Sequence, residues 1–195
     1  MSSSAICDGP SSPIETPACE PESRRSARLI ADMGDRKGIS YLRTLRGKTE
    51  VRTPPDEAVT IGGSRVVRDG DDVAIVACGI TVDQAFAAAE QLEGEGVSAR
   101  VIDAYSIKPI DEETIRAAAR DCGAIVTVED HWPEGGLGDA VLEALAEAED
   151  RPPVHKLAVR EMPTSGAPDE LLHAAGIDAD AIADAARSLA REKVG

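Results

Sequence analysis

The chain has 195 residues, 42% of them hydrophobic, and a formal net charge of -15. That length suffices for one medium domain with a real core, while so negative a field repels phosphate backbones and argues against a nucleic-acid partner. No apolar run reaches a bilayer span and the N-terminus has no signal-like apolar region, so a cytoplasmic protein is expected.

Residues 1–25 are rich in Ser, Pro and Glu without an apolar period, which predicts a disordered tail. Residues 26–36 read as a short helix with little to pack against. GISYLRTLRGKTEV, from Gly38, carries β-branched and aromatic residues and reads as a strand or extended segment, ended by Pro54-Pro55.

From Ala58 the pattern becomes regular. VTIGGSRVV predicts a first strand, with Gly62-Gly63 as a bulge or bend. DVAIVACG is a short continuous apolar run, the mark of a strand buried on both faces. The following helix puts Val82, Ala85, Phe86, Ala89 and Leu92 on one face, with Thr81 and Gln84 as a capping box and Gly94 and Gly96 at its end.

SARVIDAY is the next strand, and a helix starts at Asp111 with Ile110 and Ile115 in the staple positions. AIVTVE is another buried strand. It precedes the helix LGDAVLEALAEAED, whose inner stripe is Leu137, Ala140, Val141, Ala144, Leu145 and Ala148. VHKLAVR alternates, as a strand near the sheet edge does. LLHAA makes a short helical turn, and a last helix from Asp178 presents Ile182, Ala185, Ala186 and Leu189.

Strand and helix alternate throughout. The expected fold is a three-layer α/β/α domain with a mostly parallel five-stranded sheet and one antiparallel edge strand, because no crossover helix separates the first two strands. The aromatics are only Tyr41, Phe86, Tyr105 and Trp132, so the core must be Ala, Val, Ile and Leu. Cys7, Cys19, Cys78 and Cys122 match no CxxC pattern and read as free thiols.

Ligands of such folds gather beyond the carboxyl ends of the strands. Three loops lie there: Cys78-Gly79, Asp103–Pro109 and Glu129–Gly136. The third, within VEDHWPEGGLGDAV, admits four readings. A dinucleotide fingerprint fails because Val141 stands where a third glycine belongs. A metal site built from Glu129, Asp130, His131 and Glu134 lacks a second histidine at ligand spacing. A catalytic His131 beside an acid is chemically reasonable, but no nucleophile motif accompanies it. The leading reading is a strand-to-helix junction whose acids meet the positive helix terminus and whose Gly135, Gly136 and Gly138 permit close packing. His131 and Trp132 would then face a neighbouring domain or subunit. His155 and His173 read as surface or packing residues.

Taken in order, GISYLRTLRGKTEV, DVAIVACGITVDQAFAAAEQL, VIDAYSIKPIDEETI, VTVEDHWPEGGLGDAV and MPTSGAPDELLHAAGID resemble transketolase, over about residues 38–191. The resemblance is closest to the type that includes the animal enzymes. It implies that residues 26–57 are a remnant of the pyrimidine-binding domain with its linker, and that residues 58–195 are the C-terminal domain. The family holds thiamine diphosphate and Mg²⁺ through a GDG motif followed by a paired Asn. This sequence contains no Asn, and Gly70-Asp71-Asp72 reads as a turn between strands.

The glutamate that activates the thiazolium belongs to a part of the pyrimidine domain that this chain lacks. The resemblance therefore implies no cofactor, no metal and no catalytic residue here, with thiamine diphosphate and Mg²⁺ belonging to the complete enzyme. The chain is expected to be a C-terminal fragment or subunit of a transketolase of the pentose phosphate pathway. It would support the dimer and be inactive alone, with the remaining transketolase domains or a homodimer partner as its partners.

One substrate contact is carried over. In the family's RTxR segment the second Arg grips the sugar phosphate, and that position is Arg46, with Arg43 as a second candidate. Leu45 replaces the small hydroxyl residue often found there, and without the other domains Arg46 is expected to be solvated. The alternative function is a free-standing, non-catalytic binding module that reuses the fold. Its site would lie around Asp103, Tyr105, Glu129 and His131. A β-subunit of another thiamine-dependent enzyme is a remoter option, against which the RTxR and EDHW stretches argue.

Overall fold

The computed structural model describes residues 21–44 and 58–192. A helix, α1 (Pro21–Gly34), opens the described chain. Then come β1 (Arg65–Arg68), β2 (Val73–Ala77), α2 (Thr81–Gly94), β3 (Ala99–Asp103) and α3 (Glu112–Asp121). The remainder is β4 (Ile125–Glu129), α4 (Leu137–Ala144), β5 (Val154–Ala158), α5 (Pro168–Ala175) and α6 (Ala179–Glu192).

The five strands form one sheet in the order β1-β3-β2-β4-β5. β2, β3, β4 and β5 are parallel and β1 runs antiparallel at the edge, as the missing crossover helix predicts. β2 is wholly buried because both faces are covered. Val73, Ile75 and Ala77 pack with α2 and α6 on one side, while Ala74 and Val76 pack with α3 and α4 on the other. Each Val or Ile so buried contributes about 1.5–3 kcal/mol. The sheet with these two helical layers makes up the predicted three-layer fold.

Several elements differ from the sequence reading, each for a local reason. α1 starts at Pro21, inside the stretch predicted as a tail, and Leu29 is 6% exposed, so this helix does find a partner surface. Residues 40–44, expected as a strand or extended segment, pair with no strand among the described residues. β propensity makes a strand only where a neighbour supplies the ladder. Residues 45–57, with Arg46 and Pro54-Pro55, lie outside the described residues.

The first strand is shorter than expected. Gly62, at φ +93°, turns the chain ahead of it, and the bulge lies later, between Val66 and Arg68. α4 stops at Ala144, so Ala148 is exposed and not in an inner stripe. Glu147, Glu149 and Asp150 follow the negative helix end, and Arg116 of α3 donates to the Ala144 carbonyl there at 2.9 Å, which closes the helix.

The predicted staple at α3 is present. Ile110 packs against the cluster that holds Ile115, and the Asp111 carboxylate accepts from Thr114 N at 3.1 Å. Asp111 also accepts from Ser64 N at 3.1 Å and Ser64 Oγ at 2.9 Å, tying the approach to β1 onto α3. Burial pushes this carboxyl up, but the bonds from Thr114 and Ser64 outweigh it and hold it below the usual carboxylate range.

Candidate functional site

In this sheet order β2 leads into α2 on one face and β4 into α4 on the other. The crevice between their carboxyl ends is where this architecture ordinarily admits a ligand. Here it is bridged. The Thr81 hydroxyl lies 2.9 Å from both the Cys78 and the Val128 carbonyl oxygens. Thr81 is thus not the expected cap, since Ile80 holds that position without a side-chain bond. Gln84 reaches away instead, accepting from Ala179 N at 3.0 Å.

Beside the bridge sits Cys78. Burial first, then the negative charges of Glu129 and Asp103, push its thiol up to about 12. It stays protonated at neutral pH and is no nucleophile.

The loop from Glu129 to Asp139 carries most of the predicted site residues. Glu129 ends β4 and is 1% exposed. Its two carboxylate oxygens accept from Leu137 N at 2.7 Å and Gly138 N at 3.0 Å. The acid therefore satisfies the unpaired amides of the first turn of α4 and meets the positive helix end.

Gly136 is required by that contact. A Cβ there would lie 2.0 Å from Glu129 Oε2. At Gly138 a Cβ would lie 2.7 Å from Lys156 Cδ, so the lysine stem of β5 fills that space. Gly135 takes φ +69° and donates to Asp139 Oδ2 at 2.7 Å, while Lys156 Nζ reaches Asp139 Oδ1 at 2.5 Å.

The remaining members point outward. His131 Nδ1 lies 2.9 Å from its neighbour's carbonyl, Trp132 O, and Trp132 is 44% exposed. Asp130 receives Arg43 through two contacts, Nη1 to the backbone oxygen and Nη2 to Oδ2, each 2.6 Å. This pairs one candidate phosphate contact with one residue of the loop after β4. Arg46 lies outside the described residues.

Elsewhere, Asp103 at the end of β3 receives Arg25 from α1, whose Cζ lies 5.4 Å from the Tyr105 ring centroid. His155 stands exposed on a groove of about 470 Å³ along β5, which Leu157, Arg160 and Gly176 also line. His173 is paired with Asp178 across the α5–α6 turn, at 2.6 Å. Among the described residues no group of three or more His, Cys, Asp or Glu could hold a metal ion, and no helix is long and apolar enough to cross a membrane.

Sequence reasoning missed two participants. Arg25 stood in a stretch whose composition signals only polarity. Thr81 gave a cap signal that its true role, a bridge between two distant strand ends, imitates.

Residues 62–182 match the family described as Transketolase, C-terminal domain. Transketolase from Homo sapiens is 39% identical over 183 residues, covering 92% of this chain and 29% of that protein. Transketolase-like protein 1 from Bos taurus is 44% identical over 144 residues, or 72% of this chain and 24% of its own length. Coverage of 92% cannot begin at Gly38, so the likeness to the human protein extends further N-terminal than the sequence motifs place it.

Among solved structures, a split-gene transketolase, an inactive β4 tetramer, superposes with a TM-score of 0.67 at 38% identity. That superposition covers 75% of this chain and 47% of the other. The chain spans less than a third of the length of the curated relatives quoted above.

Proposed function

The chain belongs to the transketolase family through its C-terminal domain, and on that premise we propose that it serves as the C-terminal part of a ketol-transferring enzyme. The reaction would be the thiamine-diphosphate-dependent exchange between sugar phosphates of the pentose phosphate pathway, in the cytoplasm. The observation that carries this reading is the family match over residues 62–182.

In this role the chain supports other domains and is inactive alone. The described residues do not fit the diphosphate and its Mg²⁺. Asp103 is held by Arg25 and Glu129 by the amides of α4, so neither carboxylate is open to a cation. The cofactor is assigned to the diphosphate- and pyrimidine-binding domains of the complete enzyme.

The chain's contribution to substrate is Arg46, whose guanidinium would grip the sugar phosphate bidentately. Arg43, engaged with Asp130, acts in this reading as the anchor of that segment. His131 and Trp132 would face a neighbouring domain or the second protomer of a dimer. A free-standing binding module would need its site at the strand carboxyl ends, where Thr81 bridges the crevice, and is the weaker reading.

The test is ketol transfer from xylulose 5-phosphate to ribose 5-phosphate with thiamine diphosphate and Mg²⁺ present. The chain alone should show none. Adding a polypeptide that supplies the diphosphate- and pyrimidine-binding domains should produce transfer. Activity from the purified chain by itself would overturn the proposal.

A further inference from the structure

Two arginines of the N-terminal segment end on carboxylates at the same edge of the domain. Arg25 reaches Asp103, the last residue of β3, and Arg43 reaches Asp130, the residue after β4. In the sheet β3 and β4 flank β2, so the two anchors straddle the central strand, roughly 10 Å apart by strand spacing. Between them in sequence, Leu29 is buried, whereas Ile39 and Tyr41 are fully or largely exposed.

The two anchors differ in environment. Arg25 and Asp103 side chains are 13% and 5% exposed, and Arg43 and Asp130 are 49% and 38% exposed. A buried pair is poorly screened and leaves an uncompensated charge if broken. An exposed pair is weak and yields to salt.

We propose that Asp103 and Asp130 are the two positioning residues of an ionic latch. It seats residues 25–44 across the carboxyl ends of the sheet and opens in stages, the Arg43–Asp130 end first. Opening that end frees the segment after α1 while α1 stays docked through Arg25 and Leu29. The latch stands whether or not Arg46 meets a sugar phosphate, because it rests only on contacts within the described residues.

Trypsin reads the outer end directly, since it must take the Arg43 guanidinium into its own pocket to cut after that residue. Cleavage after Arg160, an exposed site beyond β5 and outside residues 25–44, normalises for enzyme activity. Asp130→Asn should raise cleavage after Arg43 relative to Arg160 by up to roughly fivefold, the upper end of what an exposed charge pair contributes. Moving the unaltered chain from low salt to 0.5 M NaCl should give a similar rise, and the variant should lose that salt response.

Hydrogen exchange of the α1 amides should stay unchanged in Asp130→Asn and accelerate in Asp103→Asn. An unchanged Arg43 cut in Asp130→Asn would overturn the latch. Loss of α1 protection in that variant would overturn its staged order. Asp130 is exposed enough for its variant to fold even where Asp103→Asn does not.

Discussion

Glu129 and Gly136 act as one unit: the carboxylate reaches two amides only because no Cβ stands in its path. Gly136→Ala should therefore lower unfolding stability by about 2–3 kcal/mol, through displacement of a buried carboxylate from its donors. Urea denaturation measures this. Gly94→Ala serves as the control, because a Cβ there meets nothing within 4 Å, and it should be neutral or mildly stabilising. A Gly136→Ala midpoint equal to that of the parent would refute the account of the loop. At this scale the sequence announced the junction and its glycines, because acids before glycines at a helix start are a local signal. That Asp130 receives Arg43 depends on a contact between residues 87 apart in sequence, which leaves no local trace.

Between α5 and α6 the chain turns through Gly176, at φ 66°. Asp178 closes the turn, accepting from Ala181 N at 3.0 Å and holding His173. The hydrogen bond to Asp178, then its charge, raises His173 above 6.5. Burial pushes Asp178 up, but Ala181 N and His173 outweigh it and bring it below 3.8. Stability from the raised histidine is complete below 6.5 and is lost as pH climbs through the folded value. Stability from the depressed carboxyl is complete above 3.8 and is lost as pH falls through its folded value. Both are in force between those limits. A melting series should show His173→Ala below the parent from pH 4 to 6.5, with the gap closing above that range. A gap of constant size would show that the pair does not titrate as drawn. Helices with a clear apolar stripe, such as α2 and α6, were legible in the sequence. α4 was overextended, because its stripe continues past Ala144, whose carbonyl takes a bond from Arg116 of α3 that no local pattern announces.

For the whole molecule, 36 acidic against 21 basic residues set a field of -15 that opposes compaction. Screening should relieve it. Melting in 0.5 M NaCl is expected about 3 °C above melting in low salt, the equivalent of about 1 kcal/mol for a domain of this size. The Arg43–Asp130 contact should loosen over the same range, so salt would firm the domain and free its N-terminal segment together. A melting point that falls with salt would mean that attractive pairs, such as Arg187 with Glu95 and Asp184, outweigh the repulsion. The layer architecture and the antiparallel edge were readable from alternation and from one missing crossover. The order in which β3 and β4 flank β2 was not, since both placements bury equally apolar strands.

The loop after β4 also constrains how the chain can drift over generations. An alanine at 136 calls for a shorter acid at 129, yet an aspartate would lose the reach to both amides. A larger residue at 138 displaces Lys156, and with it the grip on Asp139. Single replacements therefore lead downhill, and tolerated variants should arise as paired or triple exchanges among positions 129, 136, 138, 139 and 156.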